Sequence, residues 1–343
     1  MKVLQDGSNR GHSATLDRAV FVISVDTELA WNSLHYPSIP PETVSTERAG
    51  AERRIVEGLL QLFAKHDIKA TWAVVGHLFL GECRREGGVV HPEIVRPGYR
   101  WLDRDWFDPD PVADLATEPM WYGTDIVDMI KNATPTQEIG SHSFSHLIVG
   151  DPDCSEEAFR SDLVACREVA RETGVELRSF VYPRNTIGHL DVLPEQGFRA
   201  YRGLRPAAFA DRGNGVRRLM RALDKVTPLE GSNVLPEPVG ALWNIPATNL
   251  FAPFDRARYM PLSVWGWQQS RRLRHAARNR GLFHLWFHPH NLLDEPETAL
   301  GTLEKILVTA NELRGHGLLD NLTMTDLSDR LESSEPEQTA ASR

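Results

Sequence analysis

Four apolar stretches of this chain stop abruptly in clusters of side chains that titrate or bind ions. Ala19–Val25 ends in Asp26 and Glu28, and the short segment before Ser141 ends in His142 and His146. Ser179–Tyr182 ends in Arg184 and Asn185, and Gly281–Phe287 ends in His288 and His290. Between them lie helix-period patterns, over Thr46–His66, 124–133, 155–173, 264–280 and 295–316. Buried strands alternating with amphipathic helices specify an α/β fold with a parallel sheet or barrel, because a parallel sheet is covered on both faces. In α/β barrels the active site is built where the carboxyl ends of the strands meet. Four polar clusters at strand ends therefore describe one site drawn from distant parts of the chain.

The bulk numbers narrow the function classes. At 343 residues, 41% hydrophobic and 25% charged, the chain has material for a large core. A net charge of −9 lacks the basic footprint of a nucleic-acid binder. Cys83, Cys154 and Cys166 are too scattered for a disulfide framework or a CxxC metal site, so reduced thiols and a cytoplasmic address are expected. The first residues have no apolar core of a secretory signal, and no run approaches the ~18 apolar residues of a membrane span. We read residues 1–17 as a leader, 18–332 as one catalytic domain with loop insertions at 77–122 and 205–245, and 333–343 as a disordered tail. Leu322–Met324 reads as a last strand. The excursion at 77–122 carries Trp101, Trp106, Phe107, Trp121 and Tyr122, which either stack on sugar rings or pin the loop to its own domain. The basic run Arg271–His275 reads as a solvated helix face.

The chemistry starts from His142 and His146. Four residues apart, they lie on one side in a helix or an extended chain. Two imidazoles plus a carboxylate make a metal site with an open position for water; alone, the pair also suits surface or capping histidines. Asp26 and Glu28, two apart at a strand end, can face one way and supply that carboxylate and a second one. His288 is a candidate general acid or a packed core histidine. Arg184 could pair with the base carboxylate and hold it ionised.

These segments together resemble the polysaccharide deacetylase (NodB-homology) family of carbohydrate esterases. FVISVDTELAW resembles its first motif, HSFSH its H-[ST]-x-x-H motif, SFVYPRN its third and LFHLWFHPHN its last. The resemblance spans roughly residues 18–330 with gaps and implies a distorted (β/α) barrel of seven or eight strands. It implies a divalent metal, most often Zn2+, and hydrolysis of an acyl group on a sugar. Carried over by position, Asp26 and His288 match the catalytic base and acid, and His142 and His146 match the metal histidines. Thr27 stands where the family has its metal aspartate, so Glu28 is the expected metal ligand, with Asp26 the other possibility. The family's third-motif arginine precedes the proline; here Arg184 follows it and is the expected third catalytic residue. Trp31, Tyr182 and Asn185 are the expected substrate contacts, with the Tyr182 backbone N–H a candidate oxyanion donor. The expected activity is removal of an N-acyl group, most readily N-acetyl, from an amino sugar in an intracellular precursor, sugar nucleotide or glycosylated metabolite. An allantoinase- or cyclic-imidase-like amidohydrolase and a non-catalytic glycan-binding barrel are the alternatives.

Overall fold

The computed structural model describes residues 14–36, 38–204, 234–251 and 261–334. Its first strand, β1 (Ala19–Thr27), is buried along its whole length. Side chains alternate across a strand, and here the two faces differ. Ala19, Phe21, Ile23 and Val25 pack outward into the large cluster shared with the helices, whereas Val20 and Val22 face a smaller interior cluster. Ser24 and Asp26 continue that interior face, so β1 is apolar at its start and polar where it ends.

The elements then follow in the expected alternation. Helix α1 (Thr46–His66) begins where the Ser45 hydroxyl accepts the Arg48 N–H and buries Ile55, Leu59 and Phe63. Next come β2 (Thr71–Val74), the hairpin strands β3 (Arg85–Glu86) and β4 (Val89–Val90), α2 (Thr124–Lys131) and β5 (Glu138–Ser141). Helix α3 (Glu156–Glu172), capped by Ser155, leads to β6 (Ser179–Val181), α4 (Val192–Glu195) and β7 (Ala200–Arg202). β8 (Glu237–Val239), β9 (Leu242–Asn244), β10 (Asn249–Leu250), α5 (Leu262–Arg278), β11 (Leu282–Phe287), α6 (Pro296–Gly315), β12 (Leu319–Asn321) and α7 (Met324–Ser334) complete the chain.

Parallel pairing runs β11–β1–β2–β5–β6–β7–β9. The stretch 242–250 pairs at its start with β7 and at its end with β11, through a bridge from Leu204 to Ala247, so the sheet curls back on itself. The result is a (β/α) barrel whose lower interior holds Val20, Val22, Ala73, Val181, Ala200, Ile245 and Leu282. Met324, Leu327 and Leu331 of α7 plug that end. The opposite, carboxyl end of the interior is polar, and the site lies there.

Two readings of the sequence need correction. The last strand is Leu319–Asn321 rather than 322–324: Thr323 accepts the Asp326 N–H and starts a helix at Met324. That helix runs through Ser333 and Ser334, so the expected tail is shorter at its start; 335–343, like the leader to residue 13 and most of the 205–245 insertion, lies outside the described residues. In the 77–122 excursion, Trp106, Phe107, Trp121 and Tyr122 are buried and pin the loop; only Trp101, 44% exposed and stacked on Tyr99, keeps a free face. The basic run is a helix face, with Arg274 on Glu312 and Arg271 over the Trp267 ring.

Candidate metal centre and catalytic groups

The barrel brings together residues far apart in sequence. Glu28 leaves β1, and His142 and His146 follow β5. Glu28 Oε1 lies 2.9 Å from His142 Nε2 and 3.2 Å from His146 Nε2. All three side chains are buried, and their donor atoms lie within 4.8 Å of one another. The tautomer of His142 is informative. Its Nδ1 is 2.8 Å from the Val181 carbonyl, which can only accept, so Nδ1 carries the proton. In the neutral ring the Nε2 lone pair then faces a carboxylate oxygen. Two acceptors at that distance need a proton or a cation between them. A divalent cation therefore fits this donor set, and the Val181 contact is the kind that orients a metal-binding imidazole.

The loop carrying the histidines is built with visible constraint. Ser143 (φ 62°) and His146 (φ 59°) adopt the left-handed region that side chains avoid. Asp162 of α3 offsets this: its carboxylate accepts the Phe144 N–H (2.7 Å), the Ser145 N–H (3.1 Å) and the Ser145 hydroxyl (2.8 Å). Gly76 also matters, because its N–H donates to the Ser143 carbonyl and a Cβ there would lie 2.9 Å from Phe144 Cα.

Asp26 sits one strand pleat below Glu28. Both its oxygens accept from Arg202, at 2.6 Å each, and Arg202 also reaches Ser24 and Asn185. The Arg202 guanidinium lies 4.5 Å from the Trp286 ring centre. Burial opposes the Asp26 charge, but Arg202, with His288 beside it, holds the carboxyl below its usual range. For Glu28, burial is likewise outweighed by His288 and His146, which hold its carboxyl well below the ordinary value. His288 Nε2 is 3.3 Å from Glu28 and 3.6 Å from Asp26, while its Nδ1 faces Asn291 Oδ1 at 3.1 Å. Burial works against an imidazolium there, yet the Glu28 and Asp26 carboxylates raise its pKa to about 9. His290 stacks on His288 with ring centres 4.7 Å apart.

Several expected residues are placed otherwise. Arg184 is exposed, with φ 54°, and does not pair with Asp26; Arg202, on β7, holds that place. The reason is geometric: β7 points its last side chain into the barrel beside β1's Asp26, whereas the turn after β6 points Arg184 outward. Trp31 is fully buried and donates its indole N–H to the Trp121 carbonyl, so it is a wall residue without a sugar-facing side. Tyr182 is also buried, its phenol donating to the Gly188 carbonyl at 2.9 Å. Asn185 does reach the site, through Arg202. Arg202 and Asp162 went unassigned in the sequence. The signal for Arg202 was present, since Ala200-Tyr201-Arg202 is one more short apolar strand ending in a polar residue; Asp162 carried none beyond an acidic residue on a helix.

Residues 48–190 match the model of the polysaccharide deacetylase family. Over that stretch the chain resembles the polysaccharide deacetylase family. The matched span holds His142 and His146, and the barrel adds Asp26, Glu28 and His288 from outside it. Solved structures similar to this chain include a protein of Mycobacterium smegmatis classed provisionally as a polysaccharide deacetylase, at 14% identity and TM-score 0.60, covering 98% of this chain and 96% of that one. Another so classed, from Pseudomonas aeruginosa PAO1, is 11% identical with TM-score 0.58, covering 94% and 93%. Puue allantoinase is 12% identical with TM-score 0.58, covering 94% and 92%. At these identities the likeness is one of fold, the (β/α) barrel of the NodB type. No curated protein matches the chain. Among the described residues no helix is long and apolar enough to cross a membrane.

Proposed function

We propose that this chain is a metal-dependent hydrolase that removes an N-acyl group, most readily N-acetyl, from an amino sugar. The observation that carries the reading is the convergence of Glu28, His142 and His146 on one point with Asp26 and His288 beside it. Glu28 and the two histidines are the groups we assign to the metal. Nitrogen and carboxylate donors in that ratio suit zinc and also other divalent first-row ions. A cation held there supplies a Lewis acid for a substrate carbonyl. The remaining work falls to the protein. Asp26, ionised beside Arg202, accepts the proton of the attacking water. His288, protonated between two carboxylates, donates to the departing amine. Asn185 keeps Arg202 in place. Asp26 and Glu28 are both buried, which shields the carboxylates from bulk water. Three buried free thiols suit a reducing compartment, and with it an intracellular substrate such as a sugar nucleotide or glycosylated metabolite.

The test is acetate release from a panel of N-acetyl and N-formyl amino sugars by the purified chain, with elemental analysis of the same preparation. His288→Asn should lower turnover about 10²–10⁴-fold while leaving the metal content unchanged. Full activity in His142→Ala or Asp26→Asn would remove these roles. Metal-free turnover of a cyclic ureide would favour the allantoinase-like alternative.

A further inference from the structure

A second cluster of ligand-type side chains lies outside the site above. His77 follows β2, Cys83 and His91 flank the β3–β4 hairpin, and Asp110 lies further along the excursion. All four are buried, and one donor atom from each lies within 4.8 Å of all the others. Asp110 Oδ2 is 3.1 Å from His77 Nε2 and 3.5 Å from His91 Nε2, and Cys83 Sγ is 3.3 Å from His91 Nε2. These three separations lie close to the roughly 3.3–3.8 Å between donors around a tetrahedral ion with bonds of about 2.0–2.3 Å.

The outer contacts turn each donor toward the centre. His77 Nδ1 is 3.2 Å from the Trp121 carbonyl, which can only accept, so that nitrogen carries the proton and the Nε2 lone pair faces Asp110. His91 Nδ1 lies 3.5 Å from the Glu93 carboxylate, and its Nε2 faces Asp110 and Cys83. Asp110 Oδ1 accepts the Val112 N–H at 2.8 Å and the Tyr122 hydroxyl at 3.4 Å, which leaves Oδ2 free. These second contacts are the kind that fix metal-binding histidines and carboxylates.

Charge gives the same answer. The Asp110 side chain is fully buried, and among the described residues no lysine or arginine forms an ion pair with it. A cation among these four donors would balance the buried carboxylate.

We propose that His77, Cys83, His91 and Asp110 bind a structural zinc ion. Two neutral imidazoles, one thiolate and one carboxylate neutralise a divalent charge, and binding releases the Cys83 thiol proton to solvent. Sulfur and nitrogen donors select zinc over magnesium or calcium. Four protein ligands close the shell, so the ion has no position for substrate. Its effect is to tie the excursion to the rim. His77 N–H donates to the Phe144 carbonyl at 2.9 Å, so the ion also braces the loop that carries His142 and His146. A surface cavity of about 390 Å³ reaches Cys83 and His91 and provides the entry path. The assignment stands whether or not the rim site is a hydrolase.

Cobalt substitution of the full chain tests it. The Glu28, His142 and His146 set contains no sulfur, so a thiolate-to-cobalt charge-transfer band in the near ultraviolet can come only from a cysteine site. We expect that band in the wild type and in His142→Ala, and its loss in Cys83→Ser and not in Cys154→Ser or Cys166→Ser. Asp110→Asn, which keeps size and shape, should weaken retention of the ion by at least about 10–100-fold while the band's origin is unchanged. A folded wild type with no such band overturns the proposal, as does a band that survives Cys83→Ser. Failure of the rim site instead removes one ion per chain and leaves the band intact, so the two readings fail separately. If Cys83→Ser does not fold, the wild-type band and the Asp110→Asn retention still decide.

Discussion

Replacing Arg202 with methionine probes the electrostatics that hold the site together. Methionine keeps an unbranched stem and removes the charge, leaving the buried Asp26 carboxylate without its two 2.6 Å donors. With charge centres about 4 Å apart and an effective dielectric near 20, the lost attraction is about 4 kcal/mol. That agrees with the ~3–5 kcal/mol typical when one partner of a buried ion pair is removed. We therefore expect Arg202→Met to lose about 3–5 kcal/mol of unfolding free energy in urea titrations at neutral pH. Asp26→Asn alone strands the guanidinium and is also destabilising, but the double variant strands neither charge. Its loss should fall short of the sum of the singles by about 2–3 kcal/mol. Without Arg202, burial is less opposed and the Asp26 carboxyl titrates higher, so the acid limb of any activity profile moves to higher pH. A single variant within about 1 kcal/mol of wild type, or strictly additive losses, would refute the pairing.

Two further outcomes follow from other buried groups. Asp162→Ala strands the Phe144 and Ser145 N–H groups and should cost about 2–4 kcal/mol, with weaker retention of the rim metal; an unchanged urea midpoint would show that the His142–His146 loop needs no such support. His284, bonded to Ser24 and the Ile245 carbonyl, is pushed down to about 3 by burial and by the Arg202 charge. An unfolded imidazole titrates near ~6.5, so the unfolded chain takes up the proton first. Stability is then undiminished above about pH 6.5 and falls toward pH 3 by at most ~1.4 kcal/mol per unit from this group. Urea midpoints between pH 7 and 4.5 should slope less in His284→Asn than in wild type; equal slopes would count against the assignment.

The site was partly legible because its first carriers obey short-range rules. Strand alternation puts Ser24, Asp26 and then Glu28 toward one side, and the spacing of His142 and His146 would align them in a helix or a strand; the loop that carries them is neither, yet both rings reach Glu28. His288 ends an apolar strand in the same way. Arg184 misled because the sequence distance to a strand end does not say which way a turn will point a side chain. The left-handed backbone at Arg184 and Asn185 sends the arginine out and keeps the asparagine in. Trp31 looked like a sugar platform because an aromatic residue beside a polar cluster has the right composition for one. Only packing against His77 and Trp121 shows it to be interior.

By itself, then, the chain's pattern of apolar runs, caps and strand-end polar groups determined an α/β fold with a parallel sheet or barrel and the helix α1 to the residue, and it pointed to the strand ends as the place for chemistry. These properties depend on period and on neighbours a few residues away. Only the tertiary structure decided that Arg202 and Asp26, 176 residues apart, form the buried pair. It also decided that Asp162 braces the histidine loop and that Cys83, dismissed as isolated, meets His77, His91 and Asp110. Charge pairing and ligand convergence depend on distances of a few ångströms, and those are set only when the barrel closes and brings its strands and loops into contact.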